Sequence, residues 1–443
     1  MFGLRRATWA SVVIAALFVT VTIHFSAVFD FFVRDRWGPL WQNLEPRVSA
    51  MTPVSVVLAI LRVGLAPHAH RLSWRGLLAT AFAANWVWTM VLALVDGRDG
   101  ISATFTRPGE YLADAREVTS MPGMVEDFID RIPGTHPDNW STHVAGHPPG
   151  ALLFFVGLVR LGITDPFDVG LVALTIGTTA VVAVLVALRA LAGEELARTV
   201  LPFLVVGPSA IWVAVSADAV FLAVTAWGIA ALALAATAQH PSGWRSVAWA
   251  LLAGLLLGLG IFLSYGLVLM GATAIAVLVA ARNWRPLPWA VLAALAVTAA
   301  FALSGFAWWE AYPVLHDRYY AGIASERPYS YWVWGNIGAW LIGVGLAVAA
   351  GVAHAISVLR RRGQEPIDAG RRAVLLLGGS GLACVLLATV SGMSKAEVER
   401  IWLPFSPWAL CLMALLPVRD ARLMLVLQAV LGLVTQHLLE LYW

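Results

Sequence analysis

Between Arg107 and Gly150 the chain reads RPGEYLADAREVTSMPGMVEDFIDRIPGTHPDNWSTHVAGHPPG, and three of its carboxylates, Glu110, Asp114 and Glu117, stand at i, i+4 and i+7. On a helix that spacing sets all three on one face. A carboxylate whose surroundings tune its proton affinity is the group a general base needs to take a proton from a hydroxyl. The same trio also fits the solvated face of a surface helix. Tyr111 and Arg116 lie inside the segment, and Asp96 and Asp99 just ahead of it compete for the role of base.

His143 and His147, four residues apart in HVAGHPPG, resemble half of a zinc site, but a third ligand and the glutamate of HExxH are missing. A divalent metal therefore stays open, and no metal ligand is assigned. Pro148 and Pro149 favour an extended start followed by a new helix, which places His147 at that helix's mouth. Further along, HDRYY and ERPYSYWVW supply His316, Arg318, Arg327 and Tyr329, and SKAEVER supplies Lys395, Glu397, Glu399 and Arg400. Arginines and a lysine could fork onto a phosphate, and flat aromatic faces could take a sugar or an isoprenoid. An interfacial aromatic belt and a self-neutralising turn explain parts of the same stretches. Asp218, in SADAVF, reads as a helix cap on a turn. Asn139-Trp140-Ser141 matches an N-glycosylation pattern by coincidence, and Gly254 with Gly258 reads as close helix packing.

These groups must be positioned by something, and the composition says by what. Of 443 residues, 60% are hydrophobic and 12% charged, with a mean hydropathy of +0.79, too little charge to cover a soluble globule. The basic pI near 9.1 comes from arginines scattered in short clusters, with Lys395 the single lysine, so it reads as membrane topology and not as a nucleic-acid surface. Cys384 and Cys411 fall within apolar runs as core residues. No phosphate loop of the GxxxxGK[ST] type is present.

Apolar runs of suitable length with arginine-rich breaks predict an all-α polytopic membrane protein of about thirteen spans, N terminus cytoplasmic and C terminus outside. The first span covers roughly 8–28, with Trp37 and Trp41 at interfacial depth behind it. The run 151–163 is too short to cross and is expected to lie along the outer face. The whole chain, 1–443, reads as one transmembrane domain, with no fixed-period repeat. External loops 96–163, 308–336 and 392–402 collect nearly all the acids outside the cytoplasmic loops and most histidines, so chemistry is expected on the extracytoplasmic face of a bacterial plasma membrane.

The arrangement resembles the membrane glycosyltransferases of the GT-C class, in the branch of the protein O-mannosyltransferases and the aminoarabinose transferase. The resemblance rests on an acid in a large first external loop (Glu110), a short Tyr-x-x-x-Ala-Arg-Glu helix (Tyr111, Ala115, Arg116, Glu117), and His147-Pro148-Pro149 opening a juxtamembrane helix. SADAVF looks like the family's polar-acidic-apolar signal at the head of a span. It departs from the family at Arg107, Pro108 and Gly109, where an Asp-Glu pair is usual, leaving Glu110, Asp114 and Asp99 open as the catalytic carboxylate. The resemblance implies an inverting transfer of an arabinose- or mannose-type sugar from a polyprenyl-phosphate donor to a glycan, lipid or protein acceptor of the cell envelope. It implies membrane lipids as surroundings, no nucleotide and no nucleic-acid partner. Tyr111, Arg116, His143, His147, His316, Arg318, Arg327, Tyr329, Lys395, Glu399 and Arg400 would then line the substrate site. A transporter or flippase of lipid-linked precursors and a non-catalytic assembly partner are the rival classes. A transporter would want ionisable or broken helices at the midplane.

Overall fold

A backbone surrounded by lipid has no water to bond, so an apolar run must satisfy its own amides, and the helix is how it does so. The computed structural model describes residues 2–29, 38–40, 42–240 and 242–441 and is built almost wholly of helices. Trp37 and Trp41 lie outside the described residues. Short polar side chains start several of the helices. Ser73 accepts from Gly76 N, Asp165 from Phe167 N and Asp168 N, and Asp368 from Arg371 N, each satisfying amides that a first helical turn leaves unpaired. One two-stranded antiparallel ladder joins Gln42–Leu44 to Leu439–Leu441.

Asp218–Ala236 is the most enclosed of the spanning helices, with 83% of its apolar window buried. It packs against Pro166–Thr178, Ala180–Ala192, Trp244–Leu263 and Met270–Ala281. Gly254 and Gly258 bring Trp244–Leu263 against Leu287–Leu303, where a side chain at Gly254 would run into Ala290 O. Val13, Ile14, Leu17, Ile60, Leu292 and Leu295 stay exposed, the apolar outer surface of a membrane protein.

Among the described residues, eight helices are long and apolar enough to cross a membrane, or ten if two bent pairs are each one span. Three of the thirteen expected spans fall short. The run 197–215 breaks where Glu194–Val206 ends at Gly207-Pro208 before Ala210–Val215, because Pro208 has no N–H to continue the ladder. Tyr265–Ala281 and Ser406–Leu415 are short apolar helices. The run expected at 337–357 bends by 103° between Tyr329–Val344 and Val348–Arg361, with Gly345 at φ 93° in the corner. The second expected loop is largely helical, since Trp308–Ala321 continues Leu287–Leu303 after a 70° bend. The expected surface-lying segment is the helix Pro149–Arg160, whose twelve residues rise about 18 Å, well short of a bilayer core.

Candidate active site

Gly109 sets up the site. Its φ of 104° is open to glycine and strained for other residues, and it turns the chain so that Glu110 is the extended residue ahead of the helix Tyr111–Glu117. The expected single face of Glu110, Asp114 and Glu117 is therefore not formed. Glu110 is buried, Asp114 half-buried and Glu117 exposed. The Gly109 carbonyl accepts from His143 N at 3.0 Å and from Ser141 Oγ at 3.2 Å, which seats the short helix Thr142–Ala145 beside Glu110. His143 Nε2 then lies 3.3 Å from Glu110 Oε1.

His147 follows one turn later. Its Nδ1 is 2.8 Å from the His143 carbonyl, which can only accept, so Nδ1 carries the proton and Nε2 keeps its lone pair. The His147 ring sits between Tyr111, at 5.8 Å edge-on, and Phe221, at 5.6 Å. Tyr111 in turn stacks on Phe155 of the Pro149–Arg160 helix at 4.9 Å. The pair of prolines thus fixes where His147 and its aromatic frame stand.

Arg400 closes the cluster from 253 or more residues away in the chain. It is 3% exposed, with Nη2 at 2.9 Å from Glu397 Oε2 and Nη1 at 3.4 Å from Asp218 Oδ2. Nη2 is also 3.3 and 3.4 Å from the two ring nitrogens of His143. Near-equal distances to both nitrogens place the guanidinium against the face of the ring. Arg400 thus lies among the carboxyls of Glu397, Asp218 and Glu110, with Arg327 also acting on Glu397 and Arg107 on Glu110.

Burial pushes Glu110 up to about 7; Asp218 and Glu397 add to the rise and Arg400 opposes it. Burial, helped by Arg400, pushes His143 down to about 3, and burial lowers His147 as well. Burial alone would raise Glu397, but Arg400, His143 and Arg327 together outweigh it and hold that carboxyl below its ordinary value. Asp114 is raised by its partial burial, against hydrogen bonds with Ser141. At neutral pH the cluster therefore presents neutral imidazoles and a carboxyl near its midpoint, where a general base can both take and return a proton.

The turn that delivers Glu397 and Arg400 is strained. Ala396 at φ 74° and Glu397 at φ 62° are successive left-handed residues without being glycine, costing about 1–2 kcal/mol each. Beside them are two buried cations. Lys395 Nζ donates to Ala324 O at 2.9 Å and stands 4.8 Å from the Tyr320 ring, and Arg327 Nη1 donates to Lys395 O at 2.5 Å. Burial first, and then Arg327, lowers Lys395.

Glu110, Tyr111, His143, His147 and Arg400 are thus brought together, with Arg327, Lys395 and buried Glu399 on adjoining turns. The other expected residues stand elsewhere. Asp99 is exposed at the first turn of Asp99–Thr106. Arg116 is exposed and donates to Thr164 O at 2.6 Å. Arg318 donates to the carbonyls of Ile132 and Trp140, pinning the first loop onto the second. His316 is half-exposed beside Asp317, and Tyr329 donates to Val390 O. Two residues of the cluster carry no site role in the sequence reading. Asp218 reads there as a cap, with the SADAVF signal as its only pointer, and Glu397 is visible within SKAEVER without a role.

Among the described residues no group of three or more His, Cys, Asp or Glu is arranged to hold a metal. An apolar groove of about 310 Å³ lies away from the cluster, among Ile176, Val224, Trp227, Leu234, Trp249 and Leu252.

No family model and no curated protein matches the chain. Among solved structures it is similar to ArnT from Cupriavidus metallidurans in the apo state, with 15% identity and a TM-score of 0.46, over 76% of this chain and 59% of that one. It is also similar to the Archaeoglobus fulgidus oligosaccharyltransferase complex with Zn and sulfate, with 12% identity and a TM-score of 0.40, over 79% and 53%. The chain spans less than two thirds of the length of either.

Proposed function

We propose that this chain is a glycosyltransferase that moves a sugar from a polyprenyl-phosphate lipid to a hydroxyl of an envelope glycan, lipid or protein, with inversion, on the extracytoplasmic face. The observation that carries the reading is Glu110 itself, buried, 3.3 Å from a neutral His143 and poised near 7. In the proposed step the acceptor O–H gives its proton to Glu110 while its oxygen bonds the anomeric carbon. The bond from that carbon to the phosphate oxygen breaks, and the electron pair leaves with polyprenyl phosphate. One displacement inverts the carbon.

The carboxyls of Glu110, Asp218 and Glu397 gathered around Arg400 favour the positive charge that grows on the sugar ring in such a transition state. They disfavour a phosphate in the same place. Lys395, beside the Tyr320 ring, and Arg327, beside the Trp332 ring, are next to one another and suit the departing phosphate better than Arg400, which already faces two carboxylates. His147 Nε2 is free to accept from a substrate hydroxyl.

The test is to incubate purified protein with radiolabelled polyprenyl-phosphate sugars and an envelope acceptor, comparing wild type with Glu110→Gln, Asp114→Asn and His147→Ala. Loss of turnover in Glu110→Gln with Asp114→Asn retained supports the assignment. Turnover that survives all three substitutions refutes the site. Absence of turnover with every donor, alongside movement of a lipid-linked sugar across vesicles, would replace the enzyme with a transporter.

A further inference from the structure

We propose that Asn336 is a positioning residue: its side-chain amide holds the 394–397 turn in the left-handed form that aims Glu397 and Arg400 into the cluster. The inference rests on the reading of that cluster as the active site. Asn336 is 1% exposed, in the helix Tyr329–Val344. Its Nδ2 donates to Ser394 O at 2.5 Å and its Oδ1 accepts from Ala396 N at 3.1 Å. One planar amide therefore grips the backbone on both sides of Lys395. Tyr319 Oη, accepting from Lys395 N, and Arg327, donating to Lys395 O, bond the residue between.

The grip matters because the residues directly after Lys395 are the strained ones. Left to itself a non-glycine backbone leaves the left-handed region, and Ala396 and Glu397 both occupy it. Glu397 is also the residue ahead of the helix Val398–Ile401, which carries Arg400. A relaxed turn would swing the Glu397 carboxylate off Arg400 and re-aim the helix. The same face of Tyr329–Val344 fixes the far end: Gly343, seven residues after Asn336, lies so close to Glu399 that an added Cβ would stand 3.1 Å from its Cβ. Asn336 sits in neither the acid cluster nor the basic pair, and its chemistry is that of a two-ended brace.

The experiment is hydrogen–deuterium exchange by mass spectrometry on the intact protein in detergent, reading fragments that cover 392–402, for wild type, Asn336→Leu and Asn336→Asp. Asn336→Leu loses both bonds, so these amides should exchange about tenfold faster or more at about pH 5.5 and about pH 7.5, after correction for intrinsic rates. Asn336→Asp keeps the shape but turns an anionic oxygen toward Ser394 O. It should loosen the same fragments at both pH values, since an aspartate beside Lys395 and Arg327 is ionised at both. Wild-type turnover, where present, should fall in Asn336→Leu through kcat with KM within about threefold.

Unchanged exchange in Asn336→Leu overturns the proposal. So does loosening of the whole bundle in both variants at both pH values, which makes Asn336 a fold residue, and so does a loosened turn with unaltered turnover. If wild type turns over no donor, the functional reading fails alone. The exchange result still accepts or rejects the brace, because it reads the turn and not the reaction.

Discussion

Two buried polar groups tie distant parts of this chain together, and they differ in kind. At one, Thr8 Oγ1 lies 2.9 Å from His354 Nε2 and donates to Asp420 Oδ2 at 3.0 Å, joining three helices through side chains that are 5% exposed or less. No atom of these three side chains is orphaned and none of the residues has a strained backbone. At the other, Arg400 stands among three carboxyls, the Tyr111 hydroxyl is buried with no partner, and two left-handed residues form the turn. Burial of histidine and aspartate is common to both, so burial is no mark of chemistry. The difference lies in a crowded set of charges, an unpartnered donor and a strained turn at the second group alone.

The sharpest way to break that contrast is turnover. Glu110→Gln should lower kcat about 10²–10⁴-fold, the range of a general base, while Thr8→Val leaves it unaltered. Equal losses in the two variants would erase the distinction. Stability should rank differently. Arg400→Met strands Glu397 and Asp218 as buried carboxylates and should cost about 3–5 kcal/mol in denaturant unfolding. Thr8→Val, which orphans neutral partners or a single acid, should cost about 1–3 kcal/mol.

The pH dependence tests the cluster from within. Glu110 sits at about 7 when folded against an ordinary 4.5, so its contribution is full below pH 4.5 and is lost as pH rises through 7, about 3 kcal/mol in all. His143, at about 3 against 6.5, works in the opposite sense, and stability drops as pH falls from 6.5 toward 3. Between 4.5 and 6.5 the two contributions oppose each other. Glu110→Gln should leave a protein that weakens on acidification through that window, and His143→Gln one that weakens on alkalinisation, as thermal midpoints would read. The same slope in both variants would reject the assignment. At the low end, Asp99→Asn and Arg116→Ala alter exposed residues and should stay within about 0.5 kcal/mol of wild type with turnover intact.

Legibility in the sequence is a matter of range. The helical class, the shortness of the helix Pro149–Arg160 and the opening at His147-Pro148-Pro149 are legible because hydropathy, length and proline act over a few residues. Glu110, His143, His147 and Arg400 are legible as types, but the partnership of Glu110 and His143 with Arg400 spans more than 250 residues, and no local pattern encodes it. The carboxylate trio misleads because its spacing presumes a helix that Gly109 delays until Tyr111. Asp218 looks like a cap since its true partner lies 182 residues on. Asn336 draws no notice because an asparagine in a span signals nothing until the backbone it grips is in view.

The Thr8 bonds also set a timetable for assembly. Their partners come 346 and 412 residues later, so at ordinary rates of synthesis Thr8 waits roughly 20–80 s before Asp420 exists. Through that interval the helix Phe2–Phe29 is inserted without its polar anchor. Its docking onto Val348–Arg361 and Val418–Leu438 is a late event, and a nascent chain halted before His354 would carry an early helix with neither of its polar partners yet made.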